Sequence, residues 1–165
     1  TMASKKKIVV TGFEPFAEHT VNSSWVAVQL DHDPELNKCK KLRLVIHIAQ
    51  SCGLKGLSLC AHCCVENGPD CIKSILDMDT ICKRVNDAGI GITVSTSEDA
   101  GRYLCDYTYY TSLHLGKGRA AFVHVPPLAK PYSGKDLGRA LQAVIQEMLK
   151  LLEGILLQCV HNKNQ

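Results

Sequence analysis

Short β-branched runs alternate with segments of helical periodicity along this chain, and this alternation constrains the fold more than any other feature. The apolar residues between the β-branched runs recur at spacings of three and four positions. Alternation of this kind predicts an α/β fold with a mostly parallel sheet and helices on both of its faces. Strands are predicted at residues 7–10, 42–48, 90–94 and 120–125.

Helices are predicted from their caps and apolar stripes. They are expected at residues 22–30, at 71–88, after the opening residues 99–102, and from residue 133 onward. Gly89 ends the second of them. Ser133 followed by Asp136 has the spacing of a capping box for the long C-terminal helix. We expect that helix to fray beyond Glu153.

The composition is that of a single globular domain spanning residues 1–165. The chain is 45% hydrophobic and 21% charged, enough for one compact core. Its net charge is only +3 and aromatic residues make up 5%, which argues against nucleic-acid binding. No apolar stretch approaches the roughly 18 residues that cross a bilayer, so neither a signal peptide nor a membrane anchor is expected. Nine cysteines, an odd number, favour a reducing compartment such as the cytosol.

Cys105 is a candidate nucleophile because it follows a predicted helix start. A cysteine attacks as the thiolate, and its ordinary pKa of about 8.5 falls toward roughly 3.5–7.5 at a helix N-terminus or beside an imidazole. Whether the Cys105 sulfur faces a helix N-terminus depends on where the helix after residues 99–102 begins. A buried cysteine that packs as a small hydrophobe is the alternative.

His124 is a candidate base because it lies near the end of a predicted strand. Sites in open α/β sheets are commonly built at strand ends. His47 lies in an equally apolar strand, and spacing does not choose between the two histidines. A hydrogen-bonded core histidine therefore stays open as an alternative for His124.

A group of cysteines between residues 52 and 71, with His62 among them, raises the question of a zinc site. It contains one Cys-x-x-Cys pair, but a second ligand pair lacks the usual spacing. A reduced, cysteine-rich surface loop without metal is the favoured interpretation. Gly12 after the first strand lacks the further glycines of a phosphate cradle, so nucleotide binding has little support.

Four stretches together resemble the pyroglutamyl-peptidase I family. They are VTGFEPF at residues 10–16, NSSW at 22–25, DAGRYLCD at 99–106 and FVHVP at 122–126. The resemblance covers residues 7 to about 30 and about 63 to 155, and it extends to shortened vertebrate members. It implies a three-layer α/β/α sandwich and a cytosolic cysteine exopeptidase that removes N-terminal pyroglutamate from peptides.

The same resemblance implies roles for four residues. Cys105 falls on the nucleophile of the family and His124 on its general base. Phe13 and Phe16 fall on the aromatic pair that holds the lactam ring, whose two apolar faces need burial. Taken by themselves, Phe13 and Phe16 would be expected to pack in the core. Peptides with N-terminal pyroglutamate are the implied partners; no cofactor, nucleic acid or membrane is implied.

The chain departs from the family pattern in two places. A strand and helix after the first helix are missing, and so is the segment with the glutamate that orients the histidine. Glu66 matches a different family position, and Glu98 is a less favoured substitute. We therefore expect weakened catalysis and apolar surface that the missing elements would cover.

Three hypotheses follow from these observations. The first is a thiol omega-peptidase weakened by the absence of the acidic residue. The second is a catalytically inactive pseudoenzyme that binds pyroglutamyl peptides or a protein partner. The third is a truncated product that folds poorly and aggregates. The sequence leaves the oligomeric state open.

Overall fold

The structure, a computed structural model, describes most of the chain, and the elements below belong to that part. The described residues are 7–13, 20–30, 43–50, 65–97, 104–128 and 131–161. Phe16, Glu98 and the cysteine-rich stretch at residues 51–64 lie outside them.

Within these residues the chain forms a parallel sheet of three strands, together with four helices. The strands are β1 (Lys7–Thr11), β2 (Arg43–Gln50) and β3 (Ala120–Val125), and the helices are α1 (Ser23–Leu30), α2 (Met78–Asp87), α3 (Leu104–Gly116) and α4 (Gly134–His161). The strand order is β1-β2-β3, and both neighbouring pairs are parallel. The parallel α/β fold expected from the alternation is confirmed.

Helices cover both faces of this sheet and give the fold three layers. Strand alternation puts His47 and Phe122 on one face, where α3 packs against β2 and β3. Ile46 and Ala121 point to the other face and share one apolar cluster with side chains of α1, α2 and α4. The sandwich implied by the family resemblance is therefore present.

Ser133 and Asp136 form the capping box predicted for the longest helix. The Asp136 N–H donates to Ser133 Oγ at 3.2 Å, and the Ser133 N–H donates to Asp136 Oδ2 at 3.1 Å. Helix α4 continues to His161, so the expected fraying beyond Glu153 is wrong. No proline interrupts the sequence there. Neither α4 nor any other described helix is long and apolar enough to cross a membrane.

Helix α2 begins later than the sequence predicts. Asp77 caps it by accepting the Thr80 N–H at 3.0 Å, so the helix does not start at Cys71. The residues before the cap are held by the sheet instead: the Ser74 hydroxyl donates to the carbonyl oxygen of Ala120 at 2.8 Å. Side-chain bonds to backbone groups of this kind compete with helix formation.

The strand predicted at residues 90–94 does not form. The Val94 N–H donates to Asn86 Oδ1, and Asn86 Nδ2 donates to the Val94 carbonyl oxygen, both at 2.8 Å. A side-chain amide near the end of α2 thus binds the two backbone groups that a neighbouring strand would otherwise bind. Within the described part of the chain, residues 90–94 belong to no strand.

Candidate active site

The carboxyl ends of the parallel strands bring two predicted site residues to one edge of the sheet. Strand β1 ends at Thr11, which pairs with His47, and Phe13 follows two residues later. His124 is the penultimate residue of β3 and pairs with Ala49. Extending the β1 register by two residues brings Phe13 level with His124. Open α/β sheets commonly place their sites at this edge.

The backbone of Phe13 is held by buried polar side chains at the start of α1. The Phe13 N–H donates to Ser24 Oγ at 3.0 Å, and the Ser24 hydroxyl donates to Asn22 Oδ1 at 2.7 Å. A Cβ at Gly12 would come within 3.0 Å of the Ser24 carbonyl oxygen, so only glycine permits this approach without a shift. Phe16, the other predicted aromatic, lies outside the described residues.

Cys105 follows Leu104, the first described residue of α3, and is half-buried. Tyr109, one turn later, lies on the same side of the helix. Its ring centroid is 5.9 Å from that of Phe122. The side of α3 that bears Cys105 therefore faces β3.

His124 is exposed at the carboxyl end of β3, two residues after the half-buried Phe122. The ring centroids of Phe122 and His124 are 5.0 Å apart. Tyr109, Phe122 and His124 therefore form a row of rings that leads from α3 to the end of the strand. This places Cys105 and His124 at one corner of the fold, between the first half of α3 and the end of β3.

His47 has the opposite environment to His124. It is only 7% exposed, and burial lowers the pKa of its imidazole below the ordinary value. His47 Nδ1 lies 2.7 Å from Thr11 Oγ1, and Nε2 lies 2.7 Å from Ser112 Oγ. His47 is thus a hydrogen-bonded core residue, whereas His124 is accessible. Spacing could not distinguish them because helix packing decides which strand positions are covered.

A cavity of about 400 Å³ opens beside His124 and was not predicted from the sequence. His124, Val125 and Pro126 form one wall, and residues 92–97 form another. The remaining lining is largely apolar and includes Met78, Ile81, Leu137, Leu141, Val144 and Met148. No sequence motif indicates this cavity, because it lies between β3 and residues 92–97, part of which was predicted to be a strand.

A comparison with known protein families identifies the family to which this chain is related. The sequence profile of the family described as Pyroglutamyl peptidase matches residues 43–150, which include Cys105 and His124. The chain belongs to the pyroglutamyl peptidase family. Pyroglutamyl-peptidase 1 of Mus musculus and that of Homo sapiens are each 46% identical over 193 residues, covering 90% of this chain and 92% of the relative. Pyroglutamyl-peptidase 1-like protein of Homo sapiens is 54% identical over 87 residues, which is 53% of this chain and 43% of that protein. No solved structure gives a significant match.

Membership of the pyroglutamyl peptidase family makes the chain a cysteine-type hydrolase by descent. It also confirms the resemblance found in the four motifs. The alignment with the mouse protein spans 193 residues, more than the 165 of this chain. This chain therefore lacks residues that the relative has, in agreement with the expectation that family segments are missing.

Of the two glutamates considered for orienting the family histidine, the structure describes one. Glu66 is exposed in a turn that precedes Pro69, whose carbonyl oxygen accepts the Tyr110 hydroxyl at 2.5 Å. Glu98 lies outside the described residues, as does the cysteine-rich stretch at 51–64. Among the residues that are described, no group of three or more His, Cys, Asp or Glu side chains could hold a metal ion.

Proposed function

We propose that this protein is a cysteine peptidase that removes pyroglutamate from the N-terminus of peptides. The observation that supports the proposal is that the side of α3 bearing Cys105 faces β3, through the contact of Tyr109 with Phe122, while His124 lies at the carboxyl end of β3. Cys105 and His124 both lie within the region that matches the family profile. The names of the relatives support pyroglutamyl peptides as the substrate class.

The proposed reaction is acyl transfer in two steps. The thiolate of Cys105 attacks the pyroglutamyl carbonyl carbon, and the protonated His124 gives its proton to the leaving amine as the C–N bond breaks. Water then attacks the thioester while His124 accepts a proton, which releases pyroglutamate and restores the thiolate. Backbone N–H groups at the start of α3 stabilise the negative charge on the carbonyl oxygen. Every group in this scheme comes from the chain, the substrate or water.

Phe13 and Phe16 are proposed to hold the lactam ring of the substrate. A five-membered lactam has two small apolar faces, which aromatic side chains can cover. The bond from the Phe13 N–H to Ser24 fixes the backbone at this point of the sheet edge. A fixed backbone limits the conformational entropy that substrate binding would otherwise cost.

We propose that catalysis is weaker than in a relative that keeps the orienting glutamate. An imidazole that is not oriented can adopt the wrong tautomer, and in a serine-protease triad this costs about four orders of magnitude in turnover. A preformed thiolate–imidazolium pair needs less assistance, so we expect a loss of roughly one to four orders of magnitude. Measuring kcat/KM beside that of a full-length relative tests this expectation.

The experiment that tests the function compares three purified proteins on a fluorogenic pyroglutamyl amide. These are the wild type, Cys105→Ala, and Cys71→Ala as a matched control at an exposed position. Turnover by the wild type and Cys71→Ala, but not by Cys105→Ala, would support the proposal. Equal rates in all three would exclude Cys105 as the nucleophile, and no turnover from folded wild type would refute peptidase activity.

A binding protein without turnover is the second candidate function. The observation that favours it is that no acidic residue lies between Ile48 and Glu66, the part of the chain where the family resemblance leads us to expect the orienting glutamate. Such a protein would bind a pyroglutamyl peptide through Phe13 while leaving it intact. Calorimetric titration with an uncleaved pyroglutamyl peptide, beside Phe13→Ala, distinguishes this candidate, since binding must then be lost in the variant.

We also infer a cytosolic location. The nine cysteines are an odd number, and the three with described side chains, Cys71, Cys82 and Cys105, are not in disulfides. Reduced thiols of this kind are typical of a reducing compartment. Cell fractionation tests the inference, and recovery in a secreted or organelle-lumen fraction would refute it.

A further inference from the structure

His47 links three separate elements of the fold through its imidazole. It lies in the central strand β2 and is 7% exposed. Its Nδ1 is 2.7 Å from Thr11 Oγ1 in β1, and its Nε2 is 2.7 Å from Ser112 Oγ in α3. Its ring centroid is 6.0 Å from that of Phe122 in β3. Both nitrogens of this buried ring are therefore engaged.

The two hydroxyl partners lie on the elements that carry the two halves of the candidate site. Thr11 is the last residue of β1, two residues before Phe13. Ser112 lies seven residues after Cys105 in α3, which is about two turns and about 10 Å along the axis. Residues at that spacing share one side of a helix, as does Tyr109 between them. A bond to Ser112 therefore fixes the rotation of α3 that sets the direction of Cys105.

The imidazole of His47 donates one of these two hydrogen bonds and accepts the other. Burial lowers the pKa of His47, which keeps the ring neutral at ordinary pH. A neutral imidazole has one donor and one acceptor, so one hydroxyl donates to the ring and the other accepts from it. A core residue held in this way has one preferred orientation, because turning the ring would break both bonds.

We propose that His47 is a positioning residue that holds the Cys105 thiol and the Phe13 side chain in one relative geometry, through Ser112 and Thr11. The inference rests on the proposed function for the roles of Cys105 and Phe13. It assigns a task to a histidine that would otherwise only pack in the core. Its consequence is that removal of each hydroxyl should affect a different kinetic step.

Ser112→Ala tests the link to the nucleophile. We expect kcat for the pyroglutamyl amide to fall roughly tenfold to a hundredfold with little change in KM, since a small misplacement of reacting groups has this effect. Alkylation of Cys105 by iodoacetamide, followed by mass spectrometry, should slow severalfold, because its rate depends on the thiolate fraction and exposure of the sulfur. The exposed Cys71 serves as the internal reference in the same digest.

Thr11→Val tests the link to the aromatic residue. This change removes the hydroxyl next to the Phe13 segment and leaves the bond between His47 and Ser112 in place. We expect KM to rise severalfold, while kcat and the alkylation rate of Cys105 stay close to those of the wild type. The opposite patterns of the two variants are the signature of a residue that positions both halves of the site.

Conservative variants separate positioning from a general loss of stability. Ser112→Thr and Thr11→Ser each keep a hydroxyl and should recover most of the loss seen in Ser112→Ala and Thr11→Val. Thermal unfolding is measured for all four variants. A purely structural role would lower the unfolding temperature. It would not lower kcat in one variant and raise KM in the other.

Two results would overturn the inference. One is an unchanged alkylation rate of Cys105 in Ser112→Ala. The other is the same change of kcat and KM in Ser112→Ala and Thr11→Val, without recovery by the conservative variants. If the wild type shows no turnover at all, the proposed function fails, while the alkylation of Cys105 relative to Cys71 still decides whether Ser112 positions the thiol.

Discussion

Single polar side chains in buried places determine how the candidate site is held. Ser24 is completely buried, and its hydroxyl connects the Phe13 backbone to Asn22 Oδ1. The Ser24 N–H also donates to Asn22 Oδ1, at 3.0 Å. Buried polar groups need such partners because an unsatisfied one costs the full desolvation penalty. The short motif at residues 22–25 therefore acts by holding Phe13 in place.

Replacing Ser24 by alanine tests this role of the motif. The change removes the acceptor of the Phe13 N–H, and we expect the free energy of unfolding to fall by about 1–3 kcal/mol. Because Phe13 contacts the lactam in the proposed function, KM should rise more than kcat falls. Thermal unfolding and steady-state kinetics measure the two effects. Thr20→Ala, at an exposed position of the preceding loop, is the control, and a fall in kcat at constant KM would contradict the prediction.

At the scale of the elements, two helices begin with acidic caps whose charge is favoured by hydrogen bonds. The Ser133 hydroxyl and then the Ser133 N–H hold the pKa of Asp136 below its ordinary value at the start of α4. The hydroxyl and N–H of Thr80 do the same for Asp77 at the start of α2. Such caps satisfy N–H groups that the helix itself cannot bond.

The capping box of α4 predicts a pH dependence of stability. A carboxyl whose pKa is lower in the folded state stabilises the fold above its unfolded pKa, and that contribution is lost as the pH falls through the folded pKa. For Asp136 the loss therefore falls below about pH 4, the ordinary value of a carboxyl. Asp136→Ala should lower the unfolding temperature by a few degrees at pH 7.

The difference between Asp136→Ala and the wild type should shrink as the pH falls below 4, because the wild-type carboxyl is then protonated. Thermal unfolding followed by circular dichroism between about pH 2.5 and about pH 7 measures this difference. Glu66→Gln, at an exposed turn, is the matched control. A difference that stays constant over this range would show that the charge of Asp136 does not contribute.

At the scale of the whole molecule, the main core lies on one face of a narrow sheet. The largest apolar cluster joins the sheet to α1, α2 and α4, whereas α3 covers β2 and β3 on the other face. Val9 points to the α3 side from β1 and is 36% exposed. An exposed valine there fits a chain that lacks segments present in its relatives. With roughly 5–15 kcal/mol of stability in an ordinary domain, little reserve is expected.

Ile145→Ala measures that reserve. Ile145 is 2% exposed in the main cluster, and truncating it should cost about 2–5 kcal/mol. Gln146→Ala, at the neighbouring exposed position, should stay within about 0.5 kcal/mol. If the reserve is small, Ile145→Ala will be largely unfolded at about 37 °C, while Gln146→Ala still unfolds in one cooperative transition at a higher temperature. Retention of the fold by both variants would show that the missing segments cost little stability, and aggregated wild-type protein would favour the poorly folding product.

The sequence by itself determined the features that depend on local chemistry. Strand β3, helix α1 and the capping box of α4 were predictable because side-chain period and capping act within a few residues. The four motifs also identified the family. The sequence alone, however, could not place Phe13 and His124 at the same level of the sheet. That placement depends on a register between strands far apart in the chain.

Only the tertiary structure decided which of the two histidines in apolar strands is buried. It also decided that residues 90–94 do not pair with a neighbouring strand. His47 and His124 both lie in apolar strands. His47 is buried and lies within hydrogen-bond distance of Ser112 and Thr11, whereas His124 is exposed at the end of β3. The segment at residues 90–94 has a strand sequence, but the Asn86 side chain binds its backbone. The partners of His47 come from β1 and α3, which lie far from it in the chain, so only the packing of these elements brings them together. Asn86 lies eight residues before Val94, and its side chain reaches that backbone only because the chain turns back after α2.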